Sequence, residues 1–327
     1  MPEILDNPDA RLLNIDLGGL EKFDELPQMT RSPVVAYIPI QEGCNHCCTY
    51  CIVPYTRGRE VSRPYDDIMR DVAHAANTGA IEICFLGQNV NGYKYTDENG
   101  TLWRLSDLIR ATAKLDAIKR IRFTSSYPTE MTDDLIEMFA IEPKLLPFLN
   151  MPIQSGSPDV LTRMNRPYSL NLYIDIVDKL RRARPDIQIS SDFIVGFPGE
   201  TDDDFDQTMQ IAKQIKYINS YSFKYSPRPH TAAALIPDQI PENIKAVRLA
   251  KLDGYLNELQ RDFNTACIGR ILPCLCEGSD KTGRHVIYRT PYMQQCVVDA
   301  DAAAPTMANI KITAANKASL RGELVTE

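Results

Sequence analysis

From Val34 onward the chain repeats one unit: a short run of β-branched and aromatic residues, a polar loop with Gly or Pro, then a stretch of helical period. The strands are expected at Val34–Ile40, Ile81–Leu86, Ile118–Thr124, Phe148–Ile153, Ile187–Val195 and Tyr217–Tyr225. Between them lie a helix opened by Ser62-Arg63-Pro64 and stopped at Gly79, others near Leu105–Leu115 and Thr132–Phe139, and helices capped by Ser157, Ser169 and Thr201. Strand–helix alternation implies a parallel sheet with crossover helices, and six units are too few to close an eightfold barrel. The expected fold is an α/β partial (β/α)6 parallel barrel, with its chemistry at the carboxyl ends of the strands.

The barrel is expected over residues 34–264, ending in a long helix, Pro241–Asn264. Residues 265–327 change character to short β runs, Arg270–Glu277, His285–Thr290, Gln295–Val298, Asn309–Thr313 and Ser319–Val325, which make a small all-β, OB-like barrel. Residues 1–33, with seven acids against three bases and no clear period, read as a linker. The net charge of -7 argues against a uniformly basic surface, while residues 263–327, with six acids and seven bases, are the least acidic and compatible with RNA contact. No run approaches the roughly 18 apolar residues of a membrane span, and the N-terminus has neither the basic nor the apolar region of a signal peptide. A cytoplasmic location is expected. Nine cysteines, an odd number, do not suggest a secreted disulfide framework.

Four of those cysteines crowd into Gly43-Cys44-Asn45-His46-Cys47-Cys48-Thr49-Tyr50-Cys51. Thiols this close do not all pair as disulfides, because each bridge needs its Cα atoms several ångströms apart in a specific geometry. Metal is the better reading. Cys44, Cys48 and Cys51 give C-x3-C-x2-C, three thiolates for a four-iron cluster with one iron left open. Cys44/Cys47 and Cys48/Cys51 are also two C-x2-C pairs, as in zinc sites, but structural zinc separates its pairs by a longer stretch. By spacing alone Cys47 could replace Cys48.

Together with Leu86-Gly87-Gln88-Asn89-Val90-Asn91, Gln154-Ser155-Gly156-Ser157 and Asp192–Thr201, the loop resembles that of radical S-adenosylmethionine (SAM) enzymes, and specifically the methylthiotransferase family. The resemblance covers nearly the whole chain. It implies a [4Fe–4S] cluster on Cys44, Cys48 and Cys51, with Cys47 a bystander, and reductive cleavage of SAM to a 5′-deoxyadenosyl radical. It further implies that Tyr50 lies near the adenine, Gly87 and Gln88 near the methionyl amino group, and Gln154, Ser155 and Asp192 near the ribose and methionyl part. Gly196 and Gly199 would admit the cofactor closely, though Gly196-Phe197-Pro198-Gly199 also reads as a plain strand-to-helix turn. No catalytic residue is assigned.

The resemblance favours the branch that installs a methylthio group at C2 of N6-isopentenyladenosine 37, in the tRNA anticodon loop. It implies an electron donor such as a flavodoxin or ferredoxin, a monomer, and a TRAM-like RNA-binding C-terminal barrel. Arg57, Arg59, Arg63, Lys224 and Arg228, with His230, should rim the mouth, for RNA phosphate or as ordinary solvated charge. Cys84, Cys274, Cys276 and Cys296 read as buried structural thiols.

The sequence departs from the family in two ways. Full-length members carry a second [4Fe–4S] cluster on three further cysteines, whereas no cysteine precedes Cys44 here, so a fragment is expected, or a chain that works with a cysteine-bearing partner. Tyr127 and Asn150 stand where histidines are expected. Competing readings are a single-cluster radical SAM enzyme without thiolation, another methylthiotransferase branch, and a non-catalytic RNA-binding remnant.

Overall fold

The computed structural model describes residues 33–280, 283–299 and 306–325. Apart from Pro33, the linker expected over 1–33 lies outside the described residues. The chain begins with β1 (Val35–Pro39) and the two-residue β2 (Gln41–Glu42), crosses the cysteine loop with its one helical turn α1 (Val53–Thr56), and returns through β3 (Val61–Ser62), antiparallel to β2. Then follow α2 (Tyr65–Asn77), β4 (Glu82–Leu86), β5 (Lys94–Thr96), β6 (Leu102–Arg104), α3 (Leu105–Ala113), β7 (Arg120–Phe123), α4 (Asp133–Ile141) and β8 (Phe148–Asn150). After these come α5 (Pro158–Arg163), α6 (Leu170–Ala183), β9 (Gln188–Ser190), β10 (Asp192–Val195), α7 (Asp202–Ile215), β11 (Tyr221–Lys224) and α8 (Glu242–Ala266).

The parallel strands form an open curved sheet, as the alternation predicts. β1, β4 and β7 pair in that order, a single bridge from Ile121 to Leu145 leads on to β8, β8 pairs with β9, a Gln154–Phe193 bridge follows, and β10 pairs with β11. Among the described residues β1 pairs only with β4 and β11 only with β10, so the barrel stays open between them. The strand expected over Ile187–Val195 is split at Ser191. There the ladder gives way to side-chain bonds: the Ser191 hydroxyl accepts from Ile153 N–H at 2.9 Å, and Ser191 N–H donates to the Ser220 hydroxyl at 3.0 Å.

Helix starts follow the local chemistry. Ser157, Ser169 and Thr201 accept from Val160, Leu172 and Asp204 N–H, and Asp204 closes a capping box with Thr201. Ser62 does not cap. It belongs to β3, its hydroxyl accepts from Lys94 N–H, and α2 starts at Tyr65 after Pro64. The polar loop before α3 is instead the β5–β6 hairpin, turned by Asp97, whose carboxylate accepts from the N–H groups of Asn99 and Thr101 and from the Trp103 indole.

Ile38, Ile83, Phe85, Ile121, Leu149 and Phe193 lie in one buried apolar cluster with the helix faces. The C-terminal strands β12 (Ile271–Ser279), β13 (Val286–Arg289), β14 (Gln295–Val298), β15 (Met307–Ala315) and β16 (Ser319–Leu324) close into a five-stranded barrel. It has its own core of Leu272, Cys274, Tyr288, Cys296, Ile310, Ile312 and Leu320, which Ile218 of the first barrel joins. Cys84, Cys274 and Cys296 are buried and Cys276 is half-buried, as structural thiols should be.

The two barrels are joined by a buried charged triad. Glu82 on β4 pairs with Arg120 (2.7 Å) and Arg122 (2.6 Å) on β7, and Arg120 reaches across to donate to the carbonyls of Arg289 (2.7 Å) and Thr290 (3.1 Å).

Candidate cluster and cofactor site

The cysteine loop is held from below by Gln41. This buried amide accepts from the N–H groups of Gln88 (2.9 Å) and Asn89 (3.0 Å) and donates to Gly43 O. Gly87 permits the contact, since a Cβ there would lie 2.6 Å from Gln41 Oε1. Gly43 has φ +79° and a Cβ on it would fall 2.1 Å from Arg59 O, so only glycine fits. Its N–H donates to Gln88 Oε1 at 2.7 Å. The far side is pinned to the end of α5: Thr49 N–H donates to Met164 O, the Thr49 hydroxyl to Arg163 O, and the Asn165 amide to Cys47 O at 2.8 Å.

Behind the loop stands Arg166, only 5% exposed. Its guanidinium lies 3.8 Å from Cys48 Sγ, donates to Tyr50 (3.4 Å) and Tyr168 (2.7 Å) hydroxyls and to Pro152 O (2.7 Å), and sits over the Tyr127 ring at 4.6 Å. Burial alone would lower its pKa, but the Tyr50 and Tyr168 hydroxyls and the Cys48 thiol raise it, so the cation persists. The His46 ring stacks on Tyr127 with centroids 3.6 Å apart, and His46 meets Glu130, which also pairs with Lys94. The bond from His46, then that from Lys94, holds the Glu130 carboxyl down to about 2. Tyr127 N–H and C=O are both bonded by the Asn91 side chain. Tyr127, flagged by sequence as a departure, is thus the plate between His46 and Arg166.

The expected cofactor contacts are only partly gathered here. The Tyr50 ring packs with Val160, Met164, Phe197 and Tyr225, beside Arg166. Gln154 has φ 71° and bridges to β10 through its backbone. The carboxylate of half-buried Asp192 takes no hydrogen bond from the described residues, and burial pushes it up, with Arg166 opposing. The Ser155 hydroxyl is fully buried and spends itself on Thr208 and Ser157 N–H. Gly196 and Gly199 have φ +69° and +74°, as the turn requires; a Cβ on Gly196 would strike the Lys245 stem at 2.3 Å. Glu200, pushed up by burial, accepts from Gly196 N–H and pairs with Arg248.

Of the expected rim cations, Arg57, Arg59, Lys224 and Arg228 are exposed, as is His230. Arg57 pairs with Glu42, and Lys224 with Glu242. Arg63 is not on the rim: it is 5% exposed, donates to Pro39 O (2.7 Å) and pairs with Asp71 (2.8 Å), because β3 turns it inward beneath Tyr93.

Residues 38–212 match the family model described as the radical SAM superfamily. The tRNA-2-methylthio-N(6)-dimethylallyladenosine synthase of Rickettsia canadensis (strain McKiel) is 44% identical over 333 residues, 100% of this chain and 74% of the relative. The protein of that name from Orientia tsutsugamushi (strain Ikeda) is also 44% identical, over 99% of this chain and 74% of its own length. The chain belongs to this methylthiotransferase family. Among solved structures, coproporphyrinogen III oxidase (HemN) from Escherichia coli, a radical SAM enzyme, aligns with TM-score 0.54 and 18% identity over 81% of this chain and 62% of its own. That likeness concerns the fold.

Membership in the radical SAM superfamily brings a [4Fe–4S] cluster and SAM, and the donor set fits the cluster. Cys44, Cys48 and Cys51 are free and half-buried, and close enough that Cys48 and Cys51 raise the Cys44 pKa electrostatically. Burial is the larger cause, pushing Cys44 up to about 11 and Cys51 in the same direction. Such thiols release their protons when they take up metal.

Of this constellation sequence reasoning missed Arg166, His46 and Glu130. The only local mark of Arg166 is its place between Asn165, with φ 55°, and Pro167.

Proposed function

We propose that this chain performs the radical step of C2 methylthiolation of N6-dimethylallyladenosine in a tRNA anticodon loop. The observation that carries this reading is the three-cysteine loop fixed at the barrel mouth with a buried cation, Arg166, 3.8 Å from Cys48 Sγ. When bound, the cluster and SAM supply one-electron cleavage of a carbon–sulfur bond and so a hydrogen-abstracting radical. Cys44, Cys48 and Cys51 would hold the cluster. Arg166 offers a fixed positive charge to the carboxylate of the methionyl group in a water-poor site. The Asp192 carboxylate, without a hydrogen bond among the described residues, would accept from ribose hydroxyls. Tyr50 with Val160, Met164 and Phe197 forms an apolar flank that keeps water from the adenine side.

Residues 34–264 form the catalytic domain in this reading and residues 265–327 a TRAM-like module that docks RNA. Exposed Arg57, Arg59 and Arg228 serve phosphate contact. The electron comes from a flavodoxin or ferredoxin in the cytoplasm. Among the described residues no helix is long and apolar enough to cross a membrane. The test is anaerobic: protein reconstituted with iron and sulfide, then given SAM and a strong reductant, should release 5′-deoxyadenosine. A cluster-loaded protein that releases none sinks the reading.

A further inference from the structure

Arg166 is a buried cation without an ion-pair partner among the described residues; Asp192 feels its charge but forms no ion pair with it. The guanidinium is fixed by two short bonds, Nε to the Tyr168 hydroxyl and Nη2 to Pro152 O, both 2.7 Å. Nη1 makes only long contacts, 3.4 Å to the Tyr50 hydroxyl and 3.8 Å to Cys48 Sγ, so donor capacity is left over on the side of the cysteine loop. Burial opposes the charge, and what restores it is the Tyr50 and Tyr168 hydroxyls and the Cys48 thiol. A charge held out of water without a counter-ion is costly, so such a site calls for negative charge to arrive.

A second unspent donor lies beside it. The Tyr127 ring sits under the guanidinium at 4.6 Å and against His46 at 3.6 Å, and Asn91 holds the Tyr127 backbone N–H (2.7 Å) and C=O (2.8 Å). The side chain therefore has little freedom. Yet the Tyr127 hydroxyl, on a residue 6% exposed, makes no hydrogen bond among the described residues. Buried hydroxyls are nearly always paired, so an orphaned one points to a partner that the polypeptide does not supply. The hydroxyl lies close to the cluster loop: burial chiefly pushes the phenol up, Arg166 opposes, and Cys48 and Cys44 add to the rise.

We propose that Arg166 and the Tyr127 hydroxyl donate to sulfur atoms of the cluster held by Cys44, Cys48 and Cys51, and so make that cluster easier to reduce. The proposal rests on the cluster assignment given above and adds which residues set its potential. One-electron reduction by an external donor makes and breaks no bond and moves no proton; it adds one negative charge to the irons and their thiolates. A fixed cation and a hydroxyl dipole aimed at those sulfurs favour the more negative state, as hydrogen bonds to sulfur do in iron–sulfur proteins. A unit charge a few ångströms away, at the effective dielectric of a protein, moves such an equilibrium by about tenfold or more, and a neutral hydroxyl moves it less.

The test is a midpoint potential, read by electron paramagnetic resonance of reconstituted protein poised at a series of potentials without SAM. Omitting SAM keeps the methionyl carboxylate out of the comparison. Tyr127→Phe should load as much iron as wild type and unfold at the same temperature or above, because the lost atom bonds nothing in the protein. Its reduced-to-oxidised ratio at a given potential should nevertheless fall severalfold. Arg166→Met should lower that ratio by about tenfold, a drop of about 59 mV for one electron, and Arg166→Lys, which keeps the charge, should recover most of it. A loaded Tyr127→Phe chain with an unshifted potential overturns the proposal, as does a loaded Arg166→Met chain with one. Where Arg166→Met takes up no cluster, Tyr127→Phe decides alone. Release of 5′-deoxyadenosine by the wild-type chain, given SAM and dithionite, is measured alongside. Its absence counts against the radical function, whereas its presence with unshifted potentials counts against this inference alone.

Discussion

Replacing Arg120 by methionine tests the joint between the two barrels. Arg120 and Glu82 side chains are 3% and 1% exposed, so both charges are out of water. Their Nε and Oε2 atoms lie 2.7 Å apart yet are not aligned for a hydrogen bond, so this contact is an ion pair held by proximity, while the Arg120 terminal nitrogens bond Arg289 O and Thr290 O. Methionine keeps much of the volume but removes the charge and both carbonyl bonds. Breaking a buried pair from one side costs about 3–5 kcal/mol because the other charge is stranded. Glu82 keeps Arg122 at 2.6 Å, which points to the lower end, about 3 kcal/mol. Urea unfolding followed at Trp103, the single tryptophan, measures the loss, and amide exchange across β12–β14 reports undocking. Glu82→Met with Arg120→Met and Arg122→Met should recover much of the deficit, since no charge is then stranded. An Arg120→Met chain within about 0.5 kcal/mol of wild type, with unchanged exchange in β12–β14, would refute the joint.

Three further outcomes are expected. Cys48→Ala should lose the cluster while Cys47→Ala keeps it, as read by iron and sulfide content after reconstitution; Cys47 is exposed and the reverse result would reassign the ligands. Gly43→Ala forces a Cβ to 2.1 Å from Arg59 O at φ +79°, so it should cost more than about 1 kcal/mol in thermal unfolding and reduce cluster loading; a neutral outcome would mean the loop is slack. Glu130 titrates near 2 in the folded chain against an ordinary 4.5, so its pairing with His46 and Lys94 stabilises fully above pH 4.5 and is lost as pH falls toward 2. The stability gap between wild type and Glu130→Gln should therefore close over that window, and a gap constant from pH 6 to 3 would discount the network.

What was legible in the sequence was what local chemistry decides. Ser157, Ser169 and Thr201 announce helices because a cap needs only a partner three residues on, and the cysteine spacing speaks within one loop. The six-unit open barrel follows from alternation, whose period needs no tertiary knowledge. The failures have tertiary causes. Arg63 reads as a rim cation by its place after the cluster loop, but the two-residue β3 swings it under Tyr93. The β5–β6 hairpin hides in a stretch whose turn is made by one Asp97 carboxylate rather than by an apolar pattern. Arg166 looks like any surface arginine until α5 is seen to deliver it behind Cys48.

Backbone conformation around the mouth carries the same lesson further. Sequence marks a left-handed residue only where it is glycine, yet Ser125, Gln154 and Asn165 have φ of 62°, 71° and 55°. Each does work for the site: Ser125 O accepts from Val90 N–H in the loop after β4, Gln154 bridges to β10 beside Asp192, and Asn165 holds Cys47 O and precedes Arg166. A left-handed non-glycine residue carries strain, of order 1–3 kcal/mol where it is unfavourable, that surrounding structure must outweigh. Strain gathered on the loops that brace one cysteine cluster marks where local preference has been overruled to fix a geometry. Gln154 is legible as part of a motif, but the left-handed backbone of these three residues gives no signal in the sequence, so the cluster is readable from eight positions while the conformation of the walls around it is readable only from the fold.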